Sequence, residues 1–236
     1  MLEKESIQAL EGAANITDSI ILKYPETVAV SDAQDIMMAI KIEGKSSEFS
    51  PIALYQSFGR FLNVLKMFGD NTISIQGNIL TVKNDQGMTA NIVVSNPALM
   101  STFDKSTEQF DRTEQTNSVA EFILTADHLK KIRTASSLFG YADSVSFISK
   151  DSELKVKVGS EDSMNSSTSS DSLVLDMTTD VLTKEFKVSI PLENFNMLPV
   201  ATYKVFIKYN SVKNKYRVLM KNQDTEGIRI ILAVKI

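Results

Sequence analysis

The side chains in this chain best suited to chemistry are two carboxylates three positions apart, Asp32 and Asp35, and a lone histidine, His128. A carboxylate pair can hold Mg²⁺ through oxygen ligands. Here the pair sits in Ser31-Asp32-Ala33-Gln34-Asp35, a polar turn between apolar runs, where acidic residues read as solvated surface. His128 falls in a helical pattern beside Lys130 and Lys131, whose charges oppose an imidazolium. The chain has no cysteine, which removes thiol nucleophiles and thiolate metal sites. No Walker loop, dinucleotide fingerprint or nucleophile elbow occurs. The residues therefore lead to no catalytic group, no metal site and no cofactor, and the chain is not expected to be an enzyme.

Phosphate binding is the remaining chemistry. The formal charge of −4 disfavours adhesion to DNA or acidic membranes as a whole, so any such contact must come from local placement of lysine and arginine. On a helical wheel of residues 55–68, Phe58, Phe61, Leu62 and Leu65 share one face, Gln56, Arg60 and Asn63 point away, and Lys66 flanks. In residues 126–138, Leu129, Ile132 and Ser136 face inward, Lys130, Lys131 and Thr134 outward, and Arg133 flanks. Basic outward faces on matched helices can follow a phosphate backbone without reading bases. Solvated helix faces of ordinary kind would look the same. A second basic tract, Lys204, Lys208, Lys213, Lys215, Arg217 and Lys221, falls in a hairpin pattern on a sheet surface or loop tip, where lysines discourage edge pairing, a reading preferred to DNA contact.

The two helices belong to a repeat. Residues 52–83 and 122–157 share one order of strand, amphipathic helix, Phe-Gly, polar turn and strand hairpin, and they align at Phe68-Gly69 and Phe139-Gly140. In both copies the glycine is expected to close the helix with a left-handed backbone. Around the repeat, an opening helix over 3–15 precedes strands at 19–22, 28–30 and 36–42, and a strand at 89–94 ends the first half. Periodicity then disappears from 95 to 118, which reads as a connector. The second half has a serine-rich loop at 159–172, strands at 173–177 and 186–190, a short helix over 192–198 stopped by Pro199, and strands at 203–209, 216–220 and 228–236. The expected fold is α+β: similar domains at 1–96 and 118–236, each with two helices packed on antiparallel sheets, joined by a connector at 97–117. A start without an apolar signal core and the lack of any bilayer-length apolar run predict a cytoplasmic protein with no membrane partner.

The opening helix with no strand before it, IALYQSFGRFLNVLKMFGDNTISI and FKVSIPLENFNMLPVATYKVFIKY resemble the DNA sliding clamps of T-even-like bacteriophages. LKKIRTASSLFGYADSVSFISKDSELKVKV and ILAVKI are similar to the cellular and archaeal clamp, proliferating cell nuclear antigen. The resemblance implies a ring of six domains, helices lining a hole and sheets forming the wall, made by a homotrimer that encircles double-stranded DNA. It implies loading by an ATP-dependent clamp loader, tethering of the replicative DNA polymerase, and service to transcription or repair factors, in the cytoplasm of a host cell if the source is a phage. Carried over by position, the DNA-facing residues are Lys4, Arg60, Lys66, Lys130, Lys131 and Arg133. Glu11 on the first helix, and Glu193 and Asn196 on the fourth, depart from a basic lining. A partner-peptide pocket is implied at Leu99, Met100, Phe103, Ile231, Ala233 and Val234, although Ile231 and Ala233 also fit the core of a final strand. The subunit interface is implied between Thr89, Ala90, Asn91, Ile92, Val93 and Val94 of one chain and Leu173, Val174, Leu175, Asp176 and Met177 of the next. The alternative is a duplicated β-rich structural or interaction protein, such as a virion component.

Overall fold

Apolar spacing at three and four residues fixes the first helices. In the computed structural model, which describes residues 4–42, 51–160 and 172–234, α1 (Lys4–Ala14) buries Leu10 and Ala13. Helix α2 (Phe58–Phe68) buries Phe58, Phe61, Leu62 and Leu65 on the face the wheel assigns to the core. The chain divides into two units, Met1–Gln109 with Thr225–Ile228, and Phe110–Asp224 with Arg229–Ile236.

In the first unit α1 is followed by β1 (Ile20–Leu22), β2 (Glu26–Val30), β3 (Ile36–Lys41), β4 (Ile52–Leu54), α2, β5 (Asn71–Gln76), β6 (Ile79–Asn84) and β7 (Thr89–Val93). Pairing is antiparallel throughout: β1 with β4, β2 with β3, and β5-β6-β7 in one three-stranded sheet. Helix α2 packs on α1 and on β6, whose Leu80 and Val82 are buried. Its N-terminus is capped from a distance: the Asp18 carbonyl accepts the Ser57 and Phe58 N–H groups at 3.1 Å, and Asp18 Oδ1 accepts the Gly59 N–H at 3.0 Å. A 3-10 turn, Pro97–Met100, starts at Asn96, whose side chain accepts the Ala98 N–H, and drives Met100 against Ile21 and Ala53.

The second unit takes over within α3 (Glu108–Glu114) and continues through β8 (Ser118–Leu124), α4 (Ala126–Leu138), β9 (Ser144–Lys150), β10 (Glu153–Gly159), β11 (Leu173–Met177) and β12 (Thr179–Leu182). It ends with β13 (Phe186–Pro191), α5 (Leu192–Met197), β14 (Tyr203–Asn210), β15 (Lys215–Asn222) and β16 (Ile228–Leu232). One sheet runs β11-β10-β9-β13, and another runs β12-β8-β14-β15-β16. Helix α4 packs on β10, and α5 on β9 and β13. Phe122, Phe147 and Phe195 tie strand, strand and helix together, with ring centroids 5.5 and 6.4 Å apart. The repeated order is present in both units, β4-α2-β5-β6 and β8-α4-β9-β10.

Three expectations change. The stretch 95–118 contains the 3-10 turn and α3, whose Phe110 is fully buried although its neighbours show no extended periodicity. Gly69 closes α2 at φ 60°, but its counterpart Gly140 lacks a positive φ, and α4 is closed by Phe139 at φ −98°. Strands β14 and β15 are paired on both sides, so the tract residues within them guard no edge, while Lys213 stands at the hairpin tip. Most of the serine-rich loop lies outside the described residues. No helix is long and apolar enough to cross a membrane among the described residues.

Candidate nucleic-acid interface

Helix α4 owes its position to its first turn. Thr125 Oγ1 accepts the His128 N–H at 3.1 Å and His128 Nδ1 accepts the Thr125 N–H at 3.4 Å, a reciprocal cap that satisfies two otherwise orphaned donors. His128 thus serves the helix. Leu129, Ile132 and Ala135 anchor the buried face; Ala135 takes the inward place expected of the half-buried Ser136. Lys130 and Lys131 are exposed and have no hydrogen-bond or ion-pair partner among the described residues. They border a groove of about 380 Å³ lined also by Asp127, Thr134, Leu138 and Leu173.

Arg133 is differently committed. Its Nη2 donates to the Asn196 carbonyl at 3.0 Å and to the Leu198 carbonyl, at the end of α5. Burial pushes the guanidinium pKa down, and its Nε is buried without a partner. A residue expected to face DNA therefore holds the C-terminus of the neighbouring helix, where unpaired carbonyls favour a cation. On α5, Glu193 and Asn196 are exposed, so this helix adds no positive charge.

In the first unit, Arg60 is exposed and without a partner among the described residues. Lys66 is exposed but forms an ion pair with Glu11 Oε1 of α1 at 2.8 Å. The side chain of Lys4 lies outside the described residues. The acids considered for Mg²⁺ sit at a turn: Asp35 Oδ1 accepts the Ser31 hydroxyl at 2.6 Å, and Asp32 is exposed.

Lys208 and Lys221 of the second basic tract, with Arg229 beyond it, are occupied in holding α3. Lys208, 7% exposed, donates to the Glu114 and Thr116 carbonyls at 3.0 and 2.8 Å. Lys221 meets Glu114 Oε2 at 2.9 Å, and Arg229 reaches Asp111 at 2.9 Å and Glu114 Oε1 at 3.1 Å. The Arg229 guanidinium also lies 5.3 Å from the Phe110 ring centroid. Burial pushes the Glu114 carboxyl up, but hydrogen bonds and charge from Lys221 and Arg229 outweigh it and hold it below the usual glutamate range. Burial pushes the Lys208 ammonium pKa down. Lys204 pairs with Glu121 and Asp180 at 3.5 and 3.7 Å. Sequence reasoning missed this latch. Its one local signal was the acidic pair Asp111 and Glu114, three apart on one helix face.

The residues expected to receive a partner peptide fall in both units. In the first, Leu99 is 83% exposed, while Met100 is buried and Phe103 packs on the Ile21, Ala53 and Met100 cluster. In the second, Ile231 is buried in β16, Ala233 is exposed and Val234 half-buried. Of the residues expected at a subunit interface, β7 is an edge strand of its sheet and β11 of another. Val93 of β7 is 69% and Val174 of β11 47% exposed, whereas Ile92 and Met177 point inward.

No family model and no curated protein matches the sequence. Solved structures do. A proliferating cell nuclear antigen from A. fulgidus, solved with the C-terminal region of FEN-1 bound, superposes with a TM-score of 0.66 at 14% identity, over 100% of this chain and 97% of that one. The same protein from Thermococcus kodakaraensis gives 0.62 at 15%, over 99% and 98%. The DNA polymerase sliding clamp from Caulobacter crescentus gives 0.65 at 8%, over 98% of this chain, which spans 64% of the length of that clamp. The fold is that of the sliding clamps. The expectation of a clamp fold with helices on antiparallel sheets therefore holds. Of the described residues expected to face DNA, those exposed and without a partner are Arg60 on α2 and Lys130 and Lys131 on α4.

Proposed function

We propose that this chain is a sliding clamp: a non-catalytic homotrimer of six domains that encircles duplex DNA and holds a DNA polymerase at the primer end. The observation that carries the reading is the end-to-end superposition on archaeal clamps of nearly the same length. Exposed Arg60, Lys130 and Lys131 on matched helices supply the phosphate contacts, which carry no sequence information and so permit sliding. Retention is topological. Tethering raises the local concentration of polymerase at its substrate without adding any chemistry.

Subunits join edge to edge, β7 of one chain with β11 of the next. Both edges expose valines and unpaired backbone groups, which an isolated chain would leave open to aggregation. Because one archaeal clamp carries the C-terminal region of FEN-1, short segments of the polymerase and of transcription or repair partners are assigned to Leu99, Met100 and Phe103 and to Ile231, Ala233 and Val234. An ATP-dependent loader opens the ring. The domains divide at 1–96 and 118–236 with the connector between them, and the chain acts as clamps of the T-even-like phage kind do, in the host cytoplasm.

Loading onto a nicked plasmid by a clamp loader, followed by linearisation, tests the reading. The clamp should stay on the circle and be lost from the linear form. Retention on linear DNA with free ends would reject topological holding.

A further inference from the structure

The two helix faces assigned to DNA differ in a way that overall charge conceals. On α4, Lys130 and Lys131 stand without partners among the described residues. On α2, one of the two cations is countered from within the protein: Lys66 Nζ lies 2.8 Å from Glu11 Oε1, with both side chains well exposed at 49% and 39%. Among the described side chains of α1 the one exposed polar neighbour is Gln8, so beside Lys66 the described face of α1 sets the Glu11 carboxylate and no base. A close ion pair presents a dipole to a phosphate several ångströms away. Its attraction falls off faster than that of a free cation, and it releases no counterion on binding.

We propose that Glu11 attenuates DNA contact in the first unit by neutralising Lys66, so that sequence-independent binding is carried by Lys130 and Lys131 of α4 with Arg60 as the sole open cation of α2. This rests on the sliding-clamp reading above and deepens it. A clamp must hold DNA inside a ring while moving along it, and every additional phosphate contact slows that movement. The carboxylate of α1 removes one such contact per chain at little cost to stability, since an exposed ion pair contributes about 1 kcal/mol or less.

The test is equilibrium binding of the full chain to a labelled random-sequence duplex oligonucleotide, read by anisotropy over a series of salt concentrations. Glu11→Gln should bind about threefold or more tightly, with a log-affinity slope against log salt steeper by about 0.9 for each cation freed to meet a phosphate. Lys66→Gln leaves Glu11 bare and should bind more weakly than the unmodified chain. The double variant Glu11→Gln/Lys66→Gln should match the unmodified chain, because a neutral pair replaces a neutralised one. The opposite pattern, with Glu11→Gln indistinguishable from the unmodified chain and the double variant weaker, would mean that Lys66 leaves Glu11 for DNA and would overturn the inference. Lys130→Gln/Lys131→Gln separates the two levels. If it weakens binding while Glu11→Gln has no effect, only the attenuation falls; if it binds as the unmodified chain does, the DNA-facing assignment of α4 falls and the attenuation with it.

Discussion

Arg133 and Glu114 show how far a charged side chain can be from the role its position suggests. Arg133 gives its guanidinium to two carbonyls at the end of α5, so its removal should act on stability before it acts on DNA. Arg133→Met is expected to cost about 1.5–3 kcal/mol in denaturant unfolding, the range for hydrogen bonds to a charged group. Arg133→Lys should recover part of that, since an ammonium can still reach a carbonyl. Glu114 makes a pH prediction. Its pKa lies below the ordinary 4.5 in the folded chain because Lys221 and Arg229 favour the carboxylate. The unfolded state therefore binds the proton more readily, and the stability Glu114 contributes is complete above about pH 4.5 and lost as pH falls through the lower folded value. Unfolding midpoints of the unmodified chain and Glu114→Gln should differ at neutral pH and converge in acid. A gap that widens in acid would contradict the assignment.

Among the elements, the two copies of the repeat close their first helix by different means. Gly69 adopts φ 60° and Gly140 does not, with open space around both. Gly69→Ala should therefore destabilise by about 1 kcal/mol or more through backbone strain, and Gly140→Ala should be neutral or slightly stabilising, measured by thermal or denaturant unfolding. Much at this scale was legible in the sequence. Phe58, Phe61, Leu62 and Leu65 reach the core because a period of 3.6 leaves them one face. The basic tract was misread because alternation shows which residues share a face of a strand and not which strands stand beside it; β15 lies between β14 and β16. Helix α3 was missed because its partners are remote in sequence, Lys208, Lys221 and Arg229 being 92 to 118 residues away from the groups they hold. Seven residues are too few to hold a helix unaided. Slow amide exchange across α3 should thus depend on the latch, and Glu114→Gln should speed exchange there without speeding it in α4.

For the whole molecule, the clamp reading predicts a solution mass of three chains, falling towards one on dilution as subunits dissociate. Val93→Asp and Val174→Asp each place a charge on an exposed edge-strand valine. Either should shift the mass towards a single chain and abolish retention on circular DNA, while an unchanged mass would remove β7 and β11 from the interface. The superposition on known clamps established the fold, and the repeat in the sequence had already indicated its duplicated units. Of the residues expected to face DNA, Lys66 and Arg133 are engaged by side chain and backbone from helices that no local pattern connects to them, which the sequence could not reveal. Strands β7 and β11 are unlike, so joining one to the other leaves a fresh β11 and a fresh β7 at the ends of every growing assembly. Such head-to-tail growth stops only when the last free edge meets the first, and a substitution that alters the angle between successive chains without weakening the contact would yield open filaments.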